Sequence, residues 1–180
     1  MRIPRTEAAA VLVDVQERLF PHIHQNERLL ERLSVLIQGL NLLQVPILVT
    51  EQYSKGLGPT IAPLRELLES YRPIEKMTFS CCGEDKFAER LSILGRRHII
   101  LMGIESHVCV FQTALDLLAE GYRPFIVTDA VSSRRAGDMQ TALKRLRSEG
   151  VLPTTTESLL FELLESAEHP AFKAISKLVK

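Results

Sequence analysis

Apolar positions along this chain follow two rhythms. Short, mainly apolar runs occupy residues 8–15, 45–50, 98–103 and 123–130, and a run of this kind suits a strand buried on both faces. Between them lie longer stretches, residues 26–43, 83–94, 106–121 and 136–150, whose apolar positions recur every three or four residues as in an amphipathic helix. Residues 71–76 and 151–155 read as two further short strands, and residues 59–70, 157–166 and 169–180 as further helices. Asn26 is placed to cap the first long helix, and Gly95 to close the one ending at Leu94. The alternation predicts an α/β fold: three αβα layers around a six-stranded, mainly parallel, Rossmann-like sheet. With no repeat, low-complexity tract or linker, residues 1–180 read as one domain.

Composition adds little to this picture and removes several alternatives. Lys+Arg and Asp+Glu both number 22, so no basic excess points to nucleic acid or to an anionic membrane surface. The first apolar run is too short to span a bilayer, and its continuation "QER" does not resemble a secretory cleavage site. A cytoplasmic protein is expected. Cys81, Cys82 and Cys109 cannot form an even disulfide framework, which fits free thiols in a reducing compartment.

In an open parallel sheet, sites form outside the carboxyl ends of the strands. The polar residues at those ends are Asp14, Glu51, Glu75 with Lys76, Cys109 and Asp129. An acid, an amine and a thiol are the parts of an activated sulfur nucleophile. Cys109 falls at the start of a predicted helix. There the dipole and a nearby cation lower a thiol pKa from about 8.5 toward about 3.5–7.5, and unpaired amides can hold an oxyanion. A buried cysteine serving only as a small core residue fits the same position. Cys81 and Cys82 sit in a loop without such a setting and read as structural. No glycine-rich dinucleotide turn follows the first strand, no phosphate-binding loop is present, and the five histidines have no metal-ligand spacing.

The segments "AVLVDVQERLF", "RPIEKMTFS" and "LMGIESHVCVFQTALD" resemble the isochorismatase-like cysteine hydrolases. "ILVTEQYSKGLGPT", "TDAVSSR" and "HPAFKAISKL" are similar to the isochorismatase domain-containing protein 2 subgroup. The resemblance implies a catalytic triad of Asp14, Lys76 and Cys109. It also implies a non-proline cis peptide between Ile104 and Glu105, and an oxyanion hole from the amides of Glu105 and Cys109. The region after the second strand has no histidine, so no metal and no cofactor is expected, and nicotinamide is disfavoured as substrate. The presence of Cys109 likewise disfavours isochorismate. Ser106 stands where the family commonly has threonine.

The activity implied is hydrolysis of a small amide or ureido C–N bond through a thioester. Phe20, Gln52, Tyr53 and Phe79 are candidate pocket residues, and Arg134 and Arg135 candidates for a substrate carboxylate. The expected partners are a small-molecule substrate and further copies of the chain, as a dimer or tetramer, with neither nucleic acid nor membrane. Two other readings stay open: a binding module that keeps the triad with little turnover, and a thiol redox sensor pairing Cys109 with Cys81 or Cys82.

Overall fold

The computed structural model describes residues 2–180. Six strands, β1 (Ala8–Val13), β2 (Ile47–Gln52), β3 (Ile74–Lys76), β4 (His98–Ile104), β5 (Arg123–Ser132) and β6 (Leu152–Thr154), form one sheet in the order β3-β2-β1-β4-β5-β6. Every pairing of neighbouring strands is parallel. Eight α-helices accompany them: α1 (Asn26–Leu42), α2 (Ser54–Leu57), α3 (Ala62–Arg65), α4 (Asp85–Leu94), α5 (Cys109–Ala119), α6 (Ala136–Ser148), α7 (Thr156–Leu164) and α8 (Phe172–Leu178).

Successive strand residues point to opposite faces, and the core divides accordingly. Ala8, Ala10 and Leu12 of β1 join Ile100, Met102 and Ile104 of β4 in one cluster, against Leu33, Leu36, Ile37 and Leu40 of α1 and Leu159, Leu160 and Leu163 of α7. Ala9, Val11 and Val13 join Ile99 and Leu101 in the other, against Phe87 and Leu91 of α4 and Val110, Ala114 and Leu117 of α5. Both faces of β1 are therefore covered, which is why its sequence is continuously apolar.

Chain direction across the sheet reverses between β1 and β4. That is the crevice where such folds bind ligands. The approach of the two strands is close. A Cβ on Gly103 would lie 2.3 Å from the Val13 carbonyl oxygen, and Gly103 takes φ +112°. Only glycine fits both demands. This explains the glycine that ends the apolar run of β4.

The elements follow the sequence pattern with local departures. Helix α1 begins at Asn26, but the residue preceding it, Gln25, takes a left-handed conformation and no side chain caps the helix. The Asn26 amide instead donates to the Phe20 carbonyl at 3.3 Å. Gly95 does close α4, at φ +59°. The predicted helix at 59–70 shrinks to Ala62–Arg65, and the short helix α2 was not anticipated.

Candidate active site

The site starts with two strand neighbours. Val13 pairs with Thr50 across β1 and β2, and Gln52 pairs with Lys76 across β2 and β3. Register alone thus gathers Asp14, Thr50, Gln52 and Lys76 at one edge. Asp14 turns out of β1 at φ +51°, a left-handed conformation that aspartate tolerates better than most residues. Its carboxylate is held at both oxygens. The Lys76 ammonium donates to Oδ2 at 2.7 Å and the Thr50 hydroxyl to Oδ1 at 2.7 Å.

Lys76 also donates to Gln52 Oε1 at 2.8 Å, to the Phe79 carbonyl at 3.0 Å and to the Thr78 carbonyl at 3.1 Å. An ammonium has three protons, so these acceptors together with Asp14 occupy it fully. Asp14 and Lys76 are each only 1 % exposed, and Cys109 8 %. Burial disfavours the Lys76 ammonium, but the Asp14 charge and the two thiols Cys81 and Cys109 outweigh it and hold the lysine above its ordinary value.

Cys109 opens α5, as the helical periodicity implied. The loop before it departs from standard geometry: the Ile104–Glu105 peptide is cis. Within this loop the amide of Ser106 donates to the Ser132 carbonyl at 2.8 Å, and those of Val108 and Val110 to the Glu105 carbonyl at 3.1 Å each. Glu105 Oε1 accepts from the Arg134 backbone amide at 3.1 Å and from its Nε at 2.9 Å. This ties the cis loop to the end of β5. Ser106 Oγ is fully buried without a hydrogen-bond partner.

The electrostatics of the thiol differ from the helix-terminus expectation. Burial pushes the Cys109 thiol far up, the Asp14 charge pushes it further, and Lys76 only partly opposes them. The helix dipole is worth about 0.3–1 kcal/mol at an exposed site. Desolvation beside a carboxylate is the larger effect here. Both burial and the Asp14 charge favour the neutral thiol over the thiolate.

Of the pocket candidates, Gln52 spends both ends of its amide within the chain, donating through Nε2 to the Met77 carbonyl at 2.8 Å and accepting from Lys76. Phe20 packs half-buried against the core on the α1 side. Tyr53 and Phe79 are 48 % and 54 % exposed. Phe79 lies next to the site by its own carbonyl bond to Lys76. Arg134 reaches Glu105 rather than standing free, and Arg135 precedes the first turn of α6.

Sequence reasoning missed two residues here. Thr50 looked like an ordinary strand threonine. Cys81, read as a structural loop residue, is wholly buried with its Sγ 3.7 Å from Thr50 Oγ1, and its thiol interacts electrostatically with Asp14 and Lys76. A polar residue at the carboxyl end of a buried strand beside Asp14 was the available signal for Thr50. Cys81 entered the sequence reading beside Cys109 only as a candidate disulfide partner, not through any contact with Thr50. Among the described residues, no group of three His, Cys, Asp or Glu is arranged to hold a metal, and no helix is long and apolar enough to cross a membrane.

A 3-2-1-4-5-6 parallel sheet with a buried acid, amine and thiol at its switch point defines an α/β protein of the hydrolase type. Residues 8–158 match the Isochorismatase domain, and the chain belongs to the isochorismatase family. It is 40% identical over 178 residues to isochorismatase domain-containing protein 2 of Danio rerio, covering 99% of this chain and 89% of that protein. The structure of MAR1 ribonuclease from Caenorhabditis elegans is 38% identical with a TM-score of 0.93, covering 99% of this chain and 92% of that one. The YcaC gene product of Escherichia coli, described as an octameric hydrolase of unknown specificity, shares the fold at a TM-score of 0.93 and 21% identity, over 99% and 89% of the two chains.

Proposed function

We propose that this protein is a cytoplasmic, single-domain, homo-oligomeric cysteine hydrolase in which Cys109 attacks the carbonyl of a small amide or ureido group. The observation that carries the reading is the buried 2.7 Å Lys76–Asp14 ion pair facing a thiol at a helix start. With the neutral thiol favoured, the Cys109 proton leaves as the sulfur attacks, and Asp14 is the acceptor. Each Asp14 oxygen accepts one bond and keeps a further lone pair for it. Lys76, with its donors occupied, acts as a fixed cation that offsets the growing negative charge.

The carbonyl oxygen becomes an oxyanion held by the amides of Glu105 and Cys109, which the internal bonding of the loop passes over. The C–N bond breaks as Asp14 returns the proton to the departing amine, leaving a thioester on Cys109. Water then gives a proton to Asp14 and attacks the thioester. The acid departs and the proton returns to sulfur. The chemistry needs neither metal nor cofactor. Tyr53 and Phe79 form an apolar rim for the substrate, with Phe20 and Gln52 shaping the floor.

The test is a screen of small amides and ureides with acid-quenched mass spectrometry. Expected is a substrate-dependent acyl mass on Cys109, absent in Cys109→Ala along with turnover. Wild-type turnover of a verified substrate by Cys109→Ala would overturn the reading. The ribonuclease name of the Caenorhabditis elegans protein favours a second reading, cleavage of RNA. A balanced count of 22 basic and 22 acidic residues gives it no electrostatic support. RNA cleavage lost in Cys109→Ala would establish it instead.

A further inference from the structure

Asp14 must face Cys109 at a fixed distance for the proton to pass between them, yet the two residues sit on separate elements. A path of buried hydrogen bonds joins those elements. Thr50 on β2 donates its hydroxyl proton to Asp14 Oδ1 at 2.7 Å. Its oxygen is thereby left as an acceptor, and the Cys81 thiol lies 3.7 Å from it, within hydrogen-bond range for sulfur. Cys81 is anchored in turn, its backbone amide donating to Thr113 Oγ1 at 2.9 Å. Thr113 lies one turn after Cys109 on α5, four residues on, so the two share a helix face. Thr50, Cys81 and Thr113 are all fully buried, so water does not compete for these bonds. The path Asp14, Thr50, Cys81, Thr113 returns to Cys109 through a single helical turn.

We propose that Thr50 is a positioning residue for the reaction, fixing the Asp14 carboxylate toward Cys109, and that the buried Cys81 thiol orients the Thr50 hydroxyl for that role. The inference rests on the reading that Asp14 takes the Cys109 proton. Lys76 alone leaves the carboxylate able to pivot about its one bonded oxygen, Oδ2, and the second bond at Oδ1 restrains that pivot. The groups facing Asp14 are then Lys76 from β3, Thr50 from β2, Cys81 from the turn after β3, and Cys109 from α5. This also gives the second buried thiol a task that does not require it to react.

The test is the rate of Cys109 alkylation by iodoacetamide against pH, mapped by mass spectrometry in the full chain, for wild type, Thr50→Val, Thr50→Ser, Cys81→Ala and Asp14→Asn. Thr50→Val is expected to slow alkylation of Cys109 at pH 7 by about 10- to 100-fold, the scale of a misplaced reacting group. Thr50→Ser, which keeps the hydroxyl, restores the wild-type rate, whereas a merely space-filling role predicts that the isosteric Thr50→Val keeps it. Cys81→Ala slows alkylation by less. If Thr50→Val does not fold, Cys81→Ala carries the test alone, and an unchanged rate overturns the proposal. An Asp14→Asn profile that differs from wild type, beside a Thr50→Val profile that does not, overturns this inference and leaves the proposed function standing. A profile unchanged in Asp14→Asn refutes the proposed function and this inference with it.

Discussion

Replacing Lys76 by methionine isolates the charge of Asp14. The side chains of Lys76 and Asp14 are 0% and 1% exposed, and their atoms approach to 2.7 Å. Breaking a buried ion pair from one side costs about 3–5 kcal/mol, because the remaining charge is neither solvated nor paired. Thr50 still donates to Asp14, which places the expected loss for Lys76→Met near the lower end, about 3–4 kcal/mol. For a chain of this size each kcal/mol moves Tm by about 2–4 °C, so a drop of about 6–16 °C is expected by calorimetry. The pH dependence has a definite sign. The Lys76 ammonium is held above its ordinary value in the folded chain, so its contribution is complete below about 10.4, the unfolded lysine value, and disappears as pH rises through the higher folded value. The gap between wild type and Lys76→Met is therefore constant across neutral pH and closes only in strong alkali. Adding Asp14→Asn to Lys76→Met removes the stranded charge, and the double variant loses less than the sum of the singles. A Lys76→Met loss below about 1 kcal/mol, the scale of a solvated surface pair, would refute the account of the site as a desolvated ion pair.

Gly103→Ala puts a Cβ 2.3 Å from the Val13 carbonyl oxygen at φ +112°. It is expected to cost at least about 3 kcal/mol in urea denaturation, and a loss under about 1 kcal/mol would mean that β4 does not need glycine there. Burial pushes the fully buried Cys81 thiol up to about 11. In the folded protein at pH 8 it should stay unmodified by iodoacetamide while urea exposes it, and rapid native modification would contradict its placement. Arg134→Ala removes a side chain that is 59% exposed, while Glu105 keeps the backbone amide of residue 134. The expected stability loss is no more than about 1 kcal/mol, and a loss of several kcal/mol would show that the guanidinium carries the anchoring of the cis loop.

Strand and helix types were legible because burial on both faces of the sheet writes continuous apolar runs, and single-face burial of helices writes the 3.6-residue period. Boundaries were less so. Strand β5 runs on to Ser132, past the end at Ala130 that its apolar pattern suggested, since pairing with β4 resumes beyond an irregularity near Leu101 and Gly103. The left-handed Gln25 leaves the entry to α1 without the cap that Asn26 seemed to offer. At the site, Asp14, Lys76 and Cys109 stood out through their joint placement after strand ends on one edge of the sheet and through the resemblance of their flanking segments. Thr50 did not, since threonine is favoured in strands on propensity alone. Cys81, read as structural, is indeed buried, but the contacts that bury it come from β2 and α5, far from it in sequence.

The thiol shows where local reasoning from sequence fails for a physical cause. A cysteine at a helix start with a lysine at the same sheet edge argues for a standing thiolate. In the fold, the lysine pairs with the aspartate, and at the sulfur the Asp14 charge outweighs that of Lys76. Burial then decides, and it favours the neutral thiol. In the proposed reaction the sulfur becomes nucleophilic as its proton passes to Asp14, whichever small electrophile it meets. That proposal ties reactivity to the position of one carboxylate, which Lys76 holds at one oxygen and Thr50 at the other.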